Sequence, residues 1–192
     1  MSIPSSELPP GVYAAAIPPD EEERMAALHE MELLDSPDEE VFDGIVEMTK
    51  KVFGVPMVAF SIIDSKRQFN RACVGIPLKE FGRELSWCAH AILQPEELFI
   101  IPDALQNPLF NEHPFVKEPF NIRFYAGCPV LINEKPIGML CILDTKPRNV
   151  TEKDKEELRE YGQSVINAVE MRKAFKEAMA SMDDDEEEEY DD

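Results

Sequence analysis

Two apolar hairpins constrain this chain more than any other feature. Pro56 to Ile63 is a β-rich run that ends in Asp64-Ser65-Lys66 and returns as Gln68 to Val74. Ile122 to Ile132 turns through Asn133-Glu134-Lys135 and returns as Pro136 to Leu143. Tight turns join antiparallel strands, whereas parallel strands need long crossovers. An apolar ribbon of two strands is also not stable alone, so both hairpins must join one larger sheet. That sheet is antiparallel rather than doubly wound and parallel. The second hairpin is the more apolar and is placed at its centre. Leu98 to Pro102 supplies another short strand.

Helical periods bracket the strands. Asp20 opens a helical stretch, with an acidic first turn that suits the helix dipole and an apolar stripe of Met25, Leu28, Met31 and Leu34. Asp35-Ser36-Pro37 breaks it. A second helix follows, capped by Ser36 or Asp38, with an apolar face of Val41, Phe42, Ile45, Met48 and Val52 and a stop at Gly54. Gly75 to Leu85 reads as irregular. Ser86 caps a short helix through Leu93. Asp103 to Asn121 is a long connection, and such loops within compact domains are often functional. Thr151, with Asp154 three residues on, opens a last helix reaching about Met179. Its residues Leu158, Tyr161, Val165, Arg172 and Phe175 follow a three-four spacing that predicts a dimer seam, while Ile166 and Val169 suit the sheet.

Three regions result: a flexible Pro-containing arm over 1–19, one domain over 20–180, and a disordered acidic tail over 181–192. The chain has 192 residues, 44% apolar and 30% charged, at a formal charge of -20. Much of that excess falls in Asp183–Asp192, but the body stays acidic without it. An acidic body repels phosphate backbones and anionic lipid, so neither nucleic acid nor membrane insertion is expected. The N-terminus lacks a basic leader region before Arg24. The four cysteines, Cys73, Cys88, Cys128 and Cys141, are therefore expected to be reduced thiols in a cytoplasmic chain.

Several segments together resemble a GAF domain of the type at the N-terminus of bacterial sensor kinases and cyclases. They include Glu23-Arg24 to Pro37, Phe53-Gly54-Val55-Pro56 and Ser86-Trp87-Cys88-Ala89-His90-Ala91-Ile92. Asn107-Pro108-Leu109-Phe110, Ile122-Arg123-Phe124-Tyr125-Ala126-Gly127 and Gly138 to Asp144 continue the series. The resemblance covers roughly residues 20–175. It implies an α+β fold, GAF/PAS-like, with a six-stranded antiparallel sheet flanked by helices on both faces. It also implies terminal helices that pair two subunits and a ligand pocket under the loops of the opposite face.

Around that pocket the polar candidates are Cys88, His90, Asp103, Arg123 and Tyr125, with Trp87, Phe110, Phe115 and Phe124 as apolar wall. The bland reading of Arg123 is an ion pair with Asp103 that ties the loop to the sheet. Cys88-Ala89-His90 reads as core cysteine plus rim histidine, because one Cys-x-His pair leaves a tetrahedral metal site incomplete. No metal and no cofactor is expected, only an unidentified small ligand. Ala72-Cys73-Val74-Gly75-Ile76-Pro77 followed by Cys88 is similar to the cysteine segment of free methionine-R-sulfoxide reductases, which makes Cys73 and Cys88 the alternative catalytic pair. That family's catalytic cysteine lies in the long loop, and 103–121 contains none. The nucleotide signature of phosphodiesterase GAF domains and the Cys-His of bilin-binding ones do not occur, nor do Gly-x-Ser-x-Gly, His-Glu-x-x-His or Cys-x-x-Cys. The expectation is a regulatory module sensing a small molecule or binding a protein, acting in trans as a homodimer on a signalling partner. The alternatives are a sulfoxide reductase and a ligand-free scaffold subunit.

Overall fold

A computed structural model describes Leu8 and residues 12–188, with backbone only from 183. Helices α1 (Glu21–Glu30) and α2 (Glu40–Phe53) precede strands β1 (Met57–Ile63), β2 (Arg67–Val74) and β3 (Glu80–Gly82). Helix α3 (Trp87–Ala91), strands β4 (Phe99–Ile101), β5 (Phe124–Ile132) and β6 (Lys135–Asp144), and helix α4 (Glu152–Glu188) follow. The six strands form one sheet in the order β3-β2-β1-β6-β5-β4, and every pairing is antiparallel. The two hairpins flank the β1–β6 junction symmetrically, so each supplies one central strand and the second hairpin is no more central than the first. β3 arises in the stretch expected to be irregular; its three residues are too few to show a period.

The turns obey their chemistry. Asn133 and Glu134 both take positive φ (50° and 63°) between the paired residues Ile132 and Lys135, the two-residue turn that suits strand twist. Gly54 at φ 57° ends α2. Thr151 and Asp154 cap α4 reciprocally: the Asp154 N–H donates to Thr151 Oγ1 at 3.2 Å and the Thr151 N–H to Asp154 Oδ2 at 2.8 Å. Helix α4 continues past the expected end at Met179 to Glu188, because no Gly or Pro follows Gly162 and Ala, Met and Glu favour helix. The last four residues of the segment expected to be a disordered tail lie outside the described residues, as do residues 1–7 and 9–11 of the expected arm.

Helices α1, α2 and α4 cover one face of the sheet. Strand alternation sends Val58, Phe60, Ile62, Phe124, Ala126, Leu140 and Ile142 into that core, where they meet Leu28, Phe42, Val46, Leu158, Val165 and Val169. Gly162 lets α4 approach β5, since a Cβ there would stand 2.5 Å from Cys128 Sγ. Two helix faces differ from the sequence reading. Phe42, Val46 and Thr49 of α2 face inward, while Val41, Met48 and Val52 are exposed. In α4, Leu158 and Val165 are wholly buried against the sheet rather than on a seam, and Tyr161 packs edge-on to Phe53 at 6.4 Å. Arg172 clamps the α1–α2 connection, donating to Glu39 Oε1 at 2.7 Å and to the Met31 carbonyl at 2.8 Å. Of the seam set only Phe175 is exposed, beside Met171, Met179 and Met182.

Arg24 is 0% exposed, on a helix whose apolar stripe gave no sign of it. Its guanidinium donates to the Ile63 carbonyl at 2.7 Å and to Glu21 at 2.7 and 2.8 Å, so the buried charge is paired. Desolvation would raise the Glu21 carboxyl, but Arg24 and Arg83 outweigh it and hold it down to about 2.

Candidate functional site

The opposite face of the sheet carries a different set. Alternation brings Ala59 and Ser61 of β1, Gln68 and Asn70 of β2, Tyr125 of β5, and Met139, Cys141 and Leu143 of β6 to this side. Phe60 pairs with Ala72 and Ser61 with Asn70, so Arg71 is an extra residue in a β-bulge. The bulge lets Arg71 and Ala72 both serve the helix side, where Arg71 sits over the Phe42 ring at 4.9 Å. Short elements and loops roof this face instead of long helices. Ser86 caps α3 through the Ala89 N–H at 2.9 Å and so fixes Trp87 and Cys88 over the sheet. The 103–121 connection contributes Phe115 and Phe120, whose rings meet edge-on at 5.2 Å.

Between roof and sheet lies a cavity of about 60 Å³, lined by Trp87, Cys88, Phe81, Phe115, Tyr125, Cys141, Gln68 and Asn70 among others. That is room for about two waters, below the few hundred Å³ of an ordinary ligand pocket. The polar floor is satisfied within itself. Ser86 Oγ donates to Gln68 Oε1 at 2.6 Å, and Gln68 Nε2 donates to Ser61 Oγ and Asn70 Oδ1, each at 3.0 Å. Ser61 Oγ donates to Asn70 Oδ1 at 2.8 Å, and Asn70 Nδ2 to the Leu78 carbonyl at 2.8 Å. Trp87 Nε1, in contrast, is buried without a partner.

Sulfur and phenol groups complete the site. Cys88 Sγ lies 3.2 Å from Tyr125 Oη, and Cys141 Sγ lies 3.5 Å from the Ala59 carbonyl and 3.8 Å from Ser61 Oγ. Desolvation alone would push the Cys88 thiol up; hydrogen bonding from Cys141, Tyr125 and Ser61 draws it below its ordinary value. Tyr125 is pushed well up, by burial first and then by the charge a neighbouring thiolate would carry. Cys141 is pushed well up too, by its hydrogen bond to Cys88 and then by burial.

Of the residues singled out from sequence, Trp87, Cys88, Phe115 and Tyr125 line the cavity. Phe110 is buried behind Trp87, ring centroids 4.8 Å apart. His90 sits at the rim, its Nε2 3.1 Å from the Tyr13 carbonyl of the N-terminal segment, and burial lowers its pKa. Asp103 and Arg123 form a bidentate pair at 2.8 Å outside the cavity, the bland reading. Phe124 lies on the helix face, because its neighbour Tyr125 takes the cavity side and strand side chains alternate. Cys73 is not in the lining; its Sγ points to the Ile76 carbonyl at 3.8 Å. Sequence reasoning missed Ser61, Gln68, Asn70 and Cys141. The signal was available at Gln68-x-Asn70, two amides two residues apart on one face of a strand.

His113 was also missed. It is buried, and its Nδ1 accepts the Phe115 N–H at 3.2 Å, which fixes the turn that carries Phe115. Desolvation lowers its pKa to about 4, against a hydrogen bond to the Leu85 backbone, so it is neutral at pH 7. Among the described residues, no cluster of three His, Cys, Asp or Glu could hold a metal. No helix described is long and apolar enough to cross a membrane.

The family model of the GAF domain matches residues 38–169. A cyclic di-GMP phosphodiesterase of Pseudomonas aeruginosa is 35% identical over 151 residues, which are 78% of this chain and 26% of that protein. The chain therefore spans about a quarter of the length of this curated relative. The blue-light-absorbing form of the PixJ GAF domain of Thermosynechococcus elongatus aligns with a TM-score of 0.61 at 17% identity, covering 86% of this chain and 96% of that one. Free methionine-R-sulfoxide reductase of Neisseria meningitidis, in complex with its substrate, aligns with a TM-score of 0.59 at 15% identity, covering 85% and 97%. At these identities the two solved structures share the fold and nothing more specific.

Proposed function

The chain belongs to the GAF domain family, and from that premise we propose that it is a regulatory module whose loop-roofed cavity senses a small molecule for a signalling partner. The observation that carries this reading is the partition of the sheet. One face is closed by long helices around an apolar core, and the other holds an aromatic- and thiol-lined cavity under a connection that can move without disturbing that core. A ligand larger than a few atoms would enter by displacing Phe115 and Phe120. The cavity walls are apolar and the chain is acidic, so the ligand is small, largely apolar and not a nucleotide. The relative's activity on cyclic di-GMP fits a signalling context, because this chain corresponds to only part of that protein.

Output would pass along α4. Met171, Phe175, Met179 and Met182 form an exposed stripe along the C-terminal part of α4, and we assign the homodimer seam to them rather than to Leu158, Val165 and Arg172. Phe175→Asp with Met171→Asp should halve the mass seen by light scattering while leaving the fold intact. An unchanged mass removes the seam. All four cysteines are free, which suits a reducing cytoplasmic setting.

Two other readings rest on specific observations. The small cavity and its self-satisfied polar floor favour a ligand-free subunit. The Cys73-to-Cys88 segment, similar to that of sulfoxide reductases, favours an enzyme, but their loop cysteine has no counterpart in 103–121, and Cys73 lies outside the lining that holds Cys88. Native mass spectrometry of protein purified from its own source separates them: a sensor carries added mass that dilution releases, and a ligand-free subunit carries none. Turnover of methionine sulfoxide that Cys88→Ser abolishes would establish the enzyme instead.

A further inference from the structure

The four thiols occupy three environments. Cys128 is on the helix face beneath Gly162, and burial pushes its pKa to about 11. Cys73 is half-buried at the edge of the other face. Cys88 and Cys141 alone line the same cavity, the first from a five-residue helix on the roof and the second from the central strand β6. Tyr125 Oη reaches Cys88 Sγ at 3.2 Å, and a phenol O–H in that position stabilises a thiolate. The other polar groups facing this cluster, Ser61, Gln68 and Asn70, already bond one another. The sulfurs are what the cavity offers to chemistry.

Its size selects the reagent. Room for about two waters admits hydrogen peroxide without rearrangement, whereas a larger thiol reductant reaches the sulfurs only when the Phe115 and Phe120 roof opens. A sulfenic acid formed there has one partner within the same space, the other cysteine. We propose that Cys88 and Cys141 are a peroxide-oxidised dithiol, a modification site that holds whether or not the cavity takes any other ligand.

The chemistry balances in two steps. The Cys88 thiolate attacks one peroxide oxygen, an S–O bond forms and the O–O bond breaks, and the departing hydroxide takes the proton lost by the thiol to become water. The Cys141 sulfur then attacks the Cys88 sulfenic sulfur, the S–S bond forms, and the sulfenic oxygen leaves with the Cys141 proton as a second water. Two thiols lose two electrons and peroxide gains them. Closing the bond to about 2 Å draws α3 toward β6. Trp87, the single tryptophan, is the next residue to Cys88 and packs on Phe110, so its emission reports the event.

The test uses the full chain with Cys73→Ser, which removes the half-exposed thiol. Peroxide in slight excess, followed by denaturation and alkylation, should leave one thiol labelled and two protected. Peptide mapping should join Cys88 to Cys141 within one chain, and Trp87 emission should change at the same rate and recover with dithiothreitol. Tyr125→Phe should slow the reaction by about tenfold through loss of the hydrogen bond to the thiolate. In Cys141→Ser the intact mass should gain one oxygen on Cys88 and no disulfide should form. Three labelled thiols after peroxide, a bond between chains, or a bond to Cys128 would each overturn the proposal.

Discussion

The two faces of this sheet are made from the same strands and solve opposite problems. On the helix face, apolar side chains from β1, β5 and β6 meet three long helices, and the charges are drawn to its margins, where Arg24, Arg71 and Arg172 are each paired. On the cavity face, short helices and a long connection roof polar and sulfur-bearing residues and leave a void. Interiors are otherwise packed to near-crystal density, so a void beside satisfied amides marks the face that adapts rather than the face that holds.

The comparison can be broken most directly by paired truncations. Phe42→Ala on the helix face should cost about 3–5 kcal/mol in urea unfolding, because the surrounding helices and strands collapse little into the space. Phe115→Ala on the cavity face should cost about half as much, because the loop that carries it can settle onto the sheet. Equal losses would mean that the two faces are equally rigid.

A smaller effect sharpens the contrast through pH. His113 is neutral and buried on the cavity face, with its pKa lowered from 6.5 to about 4. Between those values the unfolded chain binds the proton and the folded chain does not. Stability is therefore complete above about pH 6.5 and falls as pH drops toward 4, by about 3 kcal/mol at most. His113→Gln should flatten that segment of the pH–stability curve. A wild-type curve flat from 6.5 to 4 would place the imidazole in water instead.

The smallest effect is expected at Asp103→Asn. The Asp103–Arg123 pair sits at the surface, where ion pairs contribute little. The denaturation midpoint should stay unchanged while the Leu105 amide, which donates to Asp103 Oδ1 at 3.1 Å, exchanges faster. A midpoint shift matching that of Phe115→Ala would make the loop anchor part of the holding face.

The helix face was largely legible in the sequence, and the cavity face was not. Apolar periodicity located α1, α2, both hairpins and α4, and cap chemistry placed the starts of α3 and α4, whereas α2 begins after Glu39 with no side-chain cap from Ser36 or Asp38. Periodicity failed where two stripes compete on one helix. In α2, Val41, Ile45, Met48 and Val52 form a regular line, but Phe42, Val46 and Thr49 face the sheet, about one residue's rotation away. In α4 the line through Leu158 and Val165 has the spacing of a seam, but the sheet takes both side chains. The cavity depends on register between strands distant in sequence and on the bulge at Arg71, which no local pattern encodes. Phe124 and Tyr125 show the consequence: both are aromatic, both are buried, and only the pairing with β6 decides which of them reaches the cavity.

Arg172 divides α4 mechanically. Up to that residue the helix is fixed to the body through Glu39 and the Met31 carbonyl, and Lys173 and Lys176 add pairs to Glu30 and Glu32. Past Lys176 it projects as a cantilever at about 1.5 Å per residue, anchored only at its root. A tilt of a few degrees at that root, too slight to notice beside the sheet, would swing the free end through several times the displacement.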